Sequence, residues 1–432
     1  MSEIRELADL FDKKIADKKL KKYTYTLVKS EKQELNVENG EFKLMRTVFN
    51  NYTSIKVFDG NRMGSAAGND LSEEALEKLI EDGIEGAKSS PEDPCHDFAP
   101  YQGKEVFHQG VYEPDMDKFI SRTREFLDDV KKEYPTVNVM ASVASFDKSN
   151  WISRNSNGTE FEDFSGSYYL SIQVCAKEGE KTTSLDYTGF SMDNLDTPFI
   201  ECADVRRCLD SVSKSVHPES LEGKFDGTVV MAPMCAVNFV EMLLGNYICN
   251  NVIIEGTSLW LDKVGEKVAS DRLTVTIDPF DERIIGGEVA TQDGFLAEKV
   301  TLFDKGVLKT HWLNLYAANK TGRPVVKNTR GNYIIEAGNH SLAEIVASVD
   351  KGILMGGFSG GEPGTNGEFS GVAKNSFLIE NGKITKALTE TMVNGNLGKM
   401  FGDIREISKE QICYGSCVAP YIAFDGIVIS GK

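Results

Sequence analysis

The chain has 432 residues, 41% hydrophobic and 26% charged, so it has material for more than one core and is not of disordered composition. With 48 basic and 66 acidic residues its formal charge is −18, which opposes contact with nucleic acid or an anionic membrane. The segment MSEIRELADLFDKKIADKKLKK has no apolar signal core, and no stretch approaches membrane-spanning length, which predicts a cytoplasmic protein whose cysteines are free, mostly buried thiols.

Residues 3–18 place Ile4, Leu7, Ala8, Phe11 and Ile15 on one helical face. Alternation from Tyr23 to Asn50 predicts two or three antiparallel strands with a turn at Glu38-Asn39-Gly40, and a further hairpin follows from Tyr52 to Ala67, turning at Asp59-Gly60. Ser72, with Glu73 and Glu74 in the first turn, caps a helix carrying Ala75, Leu76, Leu79, Ile80, Ile84 and Ala87. Ser89 to Pro114 reads as an irregular linker, and 115–133 as a helix. Strands follow at 137–146, 149–155 and 161–188, the last a hairpin turning at Glu178-Gly179. One more helix spans 199–215, and Pro218 to Gly227 reads as a domain boundary.

Thr228-Val229-Val230-Met231 is a short apolar strand, and Pro233 suits the first turn of a helix. Ala236, Phe239, Val240, Leu243, Leu244 and Tyr247 then recur at helical spacing. Beyond it lie short β segments at 273–277, 284–287, 299–310, 332–336, 353–358, 371–380 and 384–394, a helix from Ser341 to Asp350, and a last strand from Ile422 to Ile429. Segregated helices and strands predict an α+β protein of two domains. The expected divisions are 1–220, antiparallel sheets with helices, and 221–432, mostly antiparallel β.

Individual motifs carry little chemistry. Gly357-Phe358-Ser359-Gly360-Gly361 matches G-x-S-x-G, but Glu362-Pro363-Gly364 cannot open the helix that a nucleophile elbow needs, so it reads as a glycine-rich loop. His96, His108, His217, His311 and His340 lie too far apart in sequence to share a helix face as metal ligands do. Cys413 and Cys417 have no second Cys/His pair beside them. Asp278, Asp281, Glu282, Glu288 and Asp293 could hold a hard cation through oxygen, though their spacing fits no EF-hand and a solvated acidic face is the simpler reading.

Several blocks in order resemble the TldD/PmbA family. They are Glu362-Pro363 with Gly367-Glu368-Phe369-Ser370-Gly371-Val372-Ala373, Phe377-Leu378-Ile379-Glu380-Asn381-Gly382-Lys383-Ile384, and Asn394-Gly395-Asn396-Leu397. Gly256-Thr257-Ser258, Val264-Gly265-Glu266-Lys267-Val268-Ala269, Asp304-Lys305-Gly306-Val307-Leu308-Lys309 and Arg154-Asn155-Ser156-Asn157-Gly158 extend the likeness from about residue 20 to the end.

The resemblance implies a two-domain cytosolic fold acting on peptides, in which TldD-type members carry a zinc-binding H-E-x-x-x-H and PmbA (TldE) types lack it and serve as the partner subunit. Counted back from Gly256-Thr257-Ser258 without gaps, the motif falls on Glu241-Met242-Leu243-Leu244-Gly245-Asn246. Glu241 and Asn246 stand where histidines would, and Met242 where the general base would. A thioether accepts no proton, and Glu with Asn replaces two imidazoles poorly at zinc. The expectation is therefore a PmbA-like protein with no catalytic, cofactor or metal residues of its own, paired with a TldD-type paralogue, a second copy of itself, or both, and handling peptide or unfolded protein. Two other readings stand beside it: a self-sufficient hydrolase using the acidic series, and a homodimeric protein-binding regulator, where the family's older label as a modulator of DNA gyrase belongs.

Overall fold

The computed structural model describes residues 3–431. The first half contains α1 (Glu3–Asp17), β1 (Tyr23–Glu38), β2 (Glu41–Asp59), β3 (Arg62–Gly68), α2 (Glu73–Ser89), β4 (Lys104–Gly110), α3 (Met116–Glu133), β5 (Val137–Asn155), β6 (Glu160–Glu178), β7 (Lys181–Thr182), β8 (Asp186–Met192) and α4 (Val205–Lys214). Its sheet runs β3-β2-β1-β5-β6-β4, with β7 and β8 also on β6. The turn at Asn39-Gly40 holds both residues at positive φ, 50° and 73°, the pair that closes a tight hairpin between right-twisted strands. Ser72 caps α2 by accepting from the Ala75 N–H.

Two expectations change here. The linker contains β4, which pairs parallel with β6 at the sheet edge; its Lys104-Glu105-Val106-Phe107-His108-Gln109-Gly110 is largely exposed and so lacks an apolar alternation. Strands 137–146 and 149–155 are one strand, because Asp147 and Lys148 continue the ladder on both sides of β5.

The second half contains β9 (Glu219–Ser220), β10 (Lys224–Met231), α5 (Pro233–Tyr247), α6 (Asn250–Ile254), β11 (Val275–Ile277), β12 (Val300–Asp304), β13 (Val307–Leu308), α7 (Leu315–Thr321), β14 (Tyr333–Ile335), α8 (Leu342–Ala347), β15 (Lys351–Gly360), β16 (Glu368–Glu380), β17 (Lys383–Thr389), β18 (Met392–Asn396), α9 (Leu397–Gly402), β19 (Ile404–Cys413) and β20 (Val418–Ser430). The fold is α+β, as expected. The sheet is mostly antiparallel, with parallel pairs β10/β15, β14/β20 and β17/β9. Because β18 pairs both β16 and β20, the strands β20-β10-β15-β16-β18 close into a ring.

Residues 284–287 form no strand: the Ile284 N–H turns back to the Asp281 carbonyl and the Ile285 N–H reaches the Gly415 carbonyl. Gly357-Phe358-Ser359-Gly360 is strand rather than loop, Ser359 standing opposite Val372 in the β15/β16 ladder. A Cβ at Gly360 or Gly371 would overlap the Phe358 ring, which packs edge-on to Phe239 and Phe369 at 5.0 and 5.9 Å. That serine is no elbow.

Candidate functional site

Helix α5 has two unlike sides. Cys235, Ala236, Val237, Phe239, Val240, Leu243, Leu244 and Tyr247 are buried, packed against β15 and β20 in the core of the second half. Burying a Leu, Val or Phe is worth roughly 1.5–3 kcal/mol, so that side fixes the helix. The Ser258 hydroxyl donates to the Tyr247 carbonyl at 2.5 Å and accepts from the Trp260 N–H at 2.9 Å, and the Trp260 ring stacks on Tyr247 with centroids 4.2 Å apart. The Gly256-Thr257-Ser258 block thereby ties down the end of α5.

Asn238, Glu241, Met242, Gly245 and Asn246 follow the helical repeat and share one stripe on the other side. With Glu362 and Pro363 they line an open cleft of about 550 Å³. The facing wall is the loop between β15 and β16. Its turn is fastened by Gly364 N–H to Glu368 O (2.9 Å) and Gly367 N–H to Gly364 O (2.7 Å). It is tied to β18 and α9 by Asn396 Nδ2 to Asn366 O (2.8 Å) and Leu397 N–H to Gly367 O (2.9 Å). The family-like blocks at 362–373 and 394–397 thus meet over α5.

The structure brings Glu241, Met242 and Asn246 together on this cleft. Glu241 has solvent access but stands on a concave floor, and desolvation raises its carboxyl above the usual range. Its charge reaches the buried Cys417, whose thiol burial pushes up to about 12. Asn246 Nδ2 is buried and meets no partner at hydrogen-bond geometry, although the amide lies near enough to the Tyr247 phenol to oppose the upward pull of burial there. Asn238, Glu362 and Pro363 were not legible as site residues. The signal was a polar stripe on an otherwise apolar helix.

The other sites considered from sequence are dispersed. Asp278 pairs with Lys299 at 2.8 Å, and Asp281 receives a two-pronged Arg283 at 2.8 and 2.9 Å, which lowers its carboxyl to about 2. Glu288 accepts from the Thr329 N–H and hydroxyl, Asp293 accepts from the Leu315 N–H, and Glu282 is exposed. Asp278, Asp281, Glu288 and Asp293 are thus engaged in holding loops. His311 is buried against the Trp260 carbonyl, His340 faces Glu406, His217 faces Glu178, and His96 and His108 stack on Tyr316 and Phe164. All eight cysteines are free; Cys175, Cys208, Cys235 and Cys417 are buried, and the exposed Cys413 directs its sulfur at the Arg283 carbonyl.

Residues 223–431 match the PmbA/TldA metallopeptidase C-terminal domain, and residues 26–87 match domain 1 of the same metallopeptidases. The chain belongs to the PmbA/TldD family. Metalloprotease PmbA of Escherichia coli O157:H7 is 26% identical over 412 residues, covering 90% of this chain and 88% of that one. The crystal structure of TldE from Thermococcus kodakarensis superposes with a TM-score of 0.86 at 21% identity, over 98% of this chain and 100% of that one. A Bacteroides thetaiotaomicron structure, described as a candidate modulator of DNA gyrase, gives 0.88 at 24% identity over 100% of both chains.

A hydrolytic zinc site of the H-E-x-x-x-H kind needs neutral imidazoles and a carboxylate base. The stripe on α5 offers one carboxylate, a thioether and an amide, and no cluster of three His, Cys, Asp or Glu side chains among the described residues could hold an ion. These residues do not fit zinc. No helix among the described residues is long and apolar enough to cross a membrane.

Proposed function

We propose that this chain is the PmbA/TldE-like, non-catalytic member of a cytosolic peptidase pair, enclosing or presenting an unfolded peptide to a TldD-type partner that carries the zinc. The observation that carries the reading is the stripe of α5: the cleft is built and walled, and Glu241, Met242 and Asn246, the positions to which a gapless count assigns the family's ligands and base, line it without an imidazole. The cleft remains suited to a peptide. Asn238, Glu241, Asn246 and Glu362 offer amide and carboxyl groups to a backbone, and the orphaned Nδ2 of Asn246 needs an acceptor such as a peptide carbonyl. A role through protein rather than DNA follows from the −18 charge.

The test is co-expression with a TldD-type protein. The pair is expected to co-purify and to cleave flexible peptides in a zinc-dependent manner, with this chain alone inactive. Two proteins that run separately on a sizing column at micromolar concentration would overturn it.

A further inference from the structure

The second-half sheet has a face turned away from α5. Met355 of β15 and Ile422 of β20 belong to the core that holds α5, whereas Leu354 and Tyr421, one residue away on each strand, pack on the opposite face. Helix α8 covers part of that face with Ile345 and Val346, and α4 of the first half approaches the rest beside β16. Between them remains a pocket of about 260 Å³ that shares no lining residue with the cleft on α5.

One wall of this pocket is apolar. Leu354 stands opposite Phe377 in the β15/β16 ladder, with Leu342 behind them and Ile384, 46% exposed, at the mouth. The other wall is α4. Its Cys208, Leu209 and Val212 go to the first-half core, while Arg207, Asp210, Ser211 and Lys214 fall on one stripe at helical spacing and line the pocket.

Ser211 is only 6% exposed, and its Oγ has no hydrogen-bond partner. A serine inside a helix ordinarily gives its hydroxyl to the carbonyl one turn back or to water, and a bare buried hydroxyl is unfavourable. One turn back along the stripe, Arg207 gives Nε to Asp204 at 2.7 Å and Nη1 to Asp186 at 3.2 Å, and its Nη2 meets no acceptor among the described residues. A Cβ at Gly356 would lie 2.7 Å from the Asn375 carbonyl oxygen and 3.5 Å from Arg207 Nη1, so glycine leaves the guanidinium its place over β15.

We propose that this pocket binds a small uncharged molecule with an apolar body and one carbonyl oxygen, the body lying on Leu354 and Phe377 and the oxygen accepting from the Ser211 hydroxyl, with Arg207 beside it. An acceptor is required because an arginine can only donate. Charge decides against a carboxylate or phosphate: Arg207 and Lys214 face three carboxylates, Asp186, Asp204 and Asp210, so the surroundings already carry an excess of negative charge. Size sets the body, since the volume falls below the roughly 300–1,000 Å³ of sites for drug-sized molecules. The inference is independent of the role proposed above.

The test is a titration of the full chain, labelled at its isoleucine δ1 methyls, with benzamide and with benzoate, which differ in the charge of the head. The Ile384 signal is identified by its loss in Ile384→Val. Benzamide is expected to shift that signal and to saturate at millimolar concentration, and benzoate to leave it in place. Ser211→Ala removes only an unpaired hydroxyl, so circular dichroism should be unchanged while benzamide binds about 2- to 10-fold more weakly. No shift at Ile384, or shifts confined to other isoleucines, overturns the proposal. Benzoate binding as tightly as benzamide overturns it on the wild type alone, whatever the fate of the variant, and so does undiminished affinity in a folded Ser211→Ala.

Discussion

Gly367 lies directly over the Tyr247 hydroxyl, so close that a Cβ at 367 would overlap the phenol oxygen, and its φ is +84°. One contact thus sets the distance between α5 and the loop that walls the cleft. Gly367→Ala combines an unfavourable backbone region with a clash, and a cost of about 1–3 kcal/mol is expected in denaturant unfolding. Gly361→Ala, in open space at ordinary φ, is the control. Equal stability of the two variants would show that the loop yields.

Asn246 supplies a buried donor without an acceptor. Replacing it with Leu removes that penalty, and Asn246→Leu is expected to be more stable by about 1 kcal/mol while losing affinity for extended peptides. A variant that binds peptide as well as wild type would remove Asn246 from the cleft's function.

Much of this arrangement was legible in the sequence, and the parts that were not share a cause. The strand leading into α5 and the apolar side of that helix follow from spacing, because burial demands periodicity. β19 escaped detection because bulges between Ile404 and Glu406 and between Ile407 and Gln411 break its alternation. The six-residue α9 is held by its Asn396 cap and by the burial of Leu397, Met400 and Phe401, a pattern too short to register. A gapless count from the family-like blocks pointed to Glu241, Met242 and Asn246, and these three line one cleft. The facing wall was illegible because Glu362 and Pro363 reach α5 only through the closure of a distant hairpin.

Glu241 should leave a signature in the pH dependence of stability. Its folded carboxyl is raised by desolvation, so the native state holds the proton more tightly than the unfolded chain. Stability from this group is fully present below the unfolded value and falls as pH rises through the folded one. Glu241→Gln is therefore expected to gain on wild type as pH rises from the acid side toward neutral, as read by urea unfolding at several pH values. Parallel curves would contradict the desolvation.

Asp281 runs the opposite way. Arg283 lowers its carboxyl to about 2, so its contribution is present above the ordinary carboxylate range and is lost as pH falls toward that value. Asp281→Asn is expected to cost up to about 1 kcal/mol at neutral pH, the pair being partly screened, and to flatten the acid limb of the stability curve. The metal content of the purified protein should not change. Loss of a bound ion with this substitution would revive the acidic-site hydrolase.

The most direct test of the central claim is peptide cleavage by a TldD-type protein, by this chain, and by the two mixed, each with and without zinc chelation. The account predicts co-elution of the mixture, zinc-dependent cleavage by it, and no cleavage by this chain alone. Cleavage by this chain alone that is lost with Glu241→Gln would contradict it.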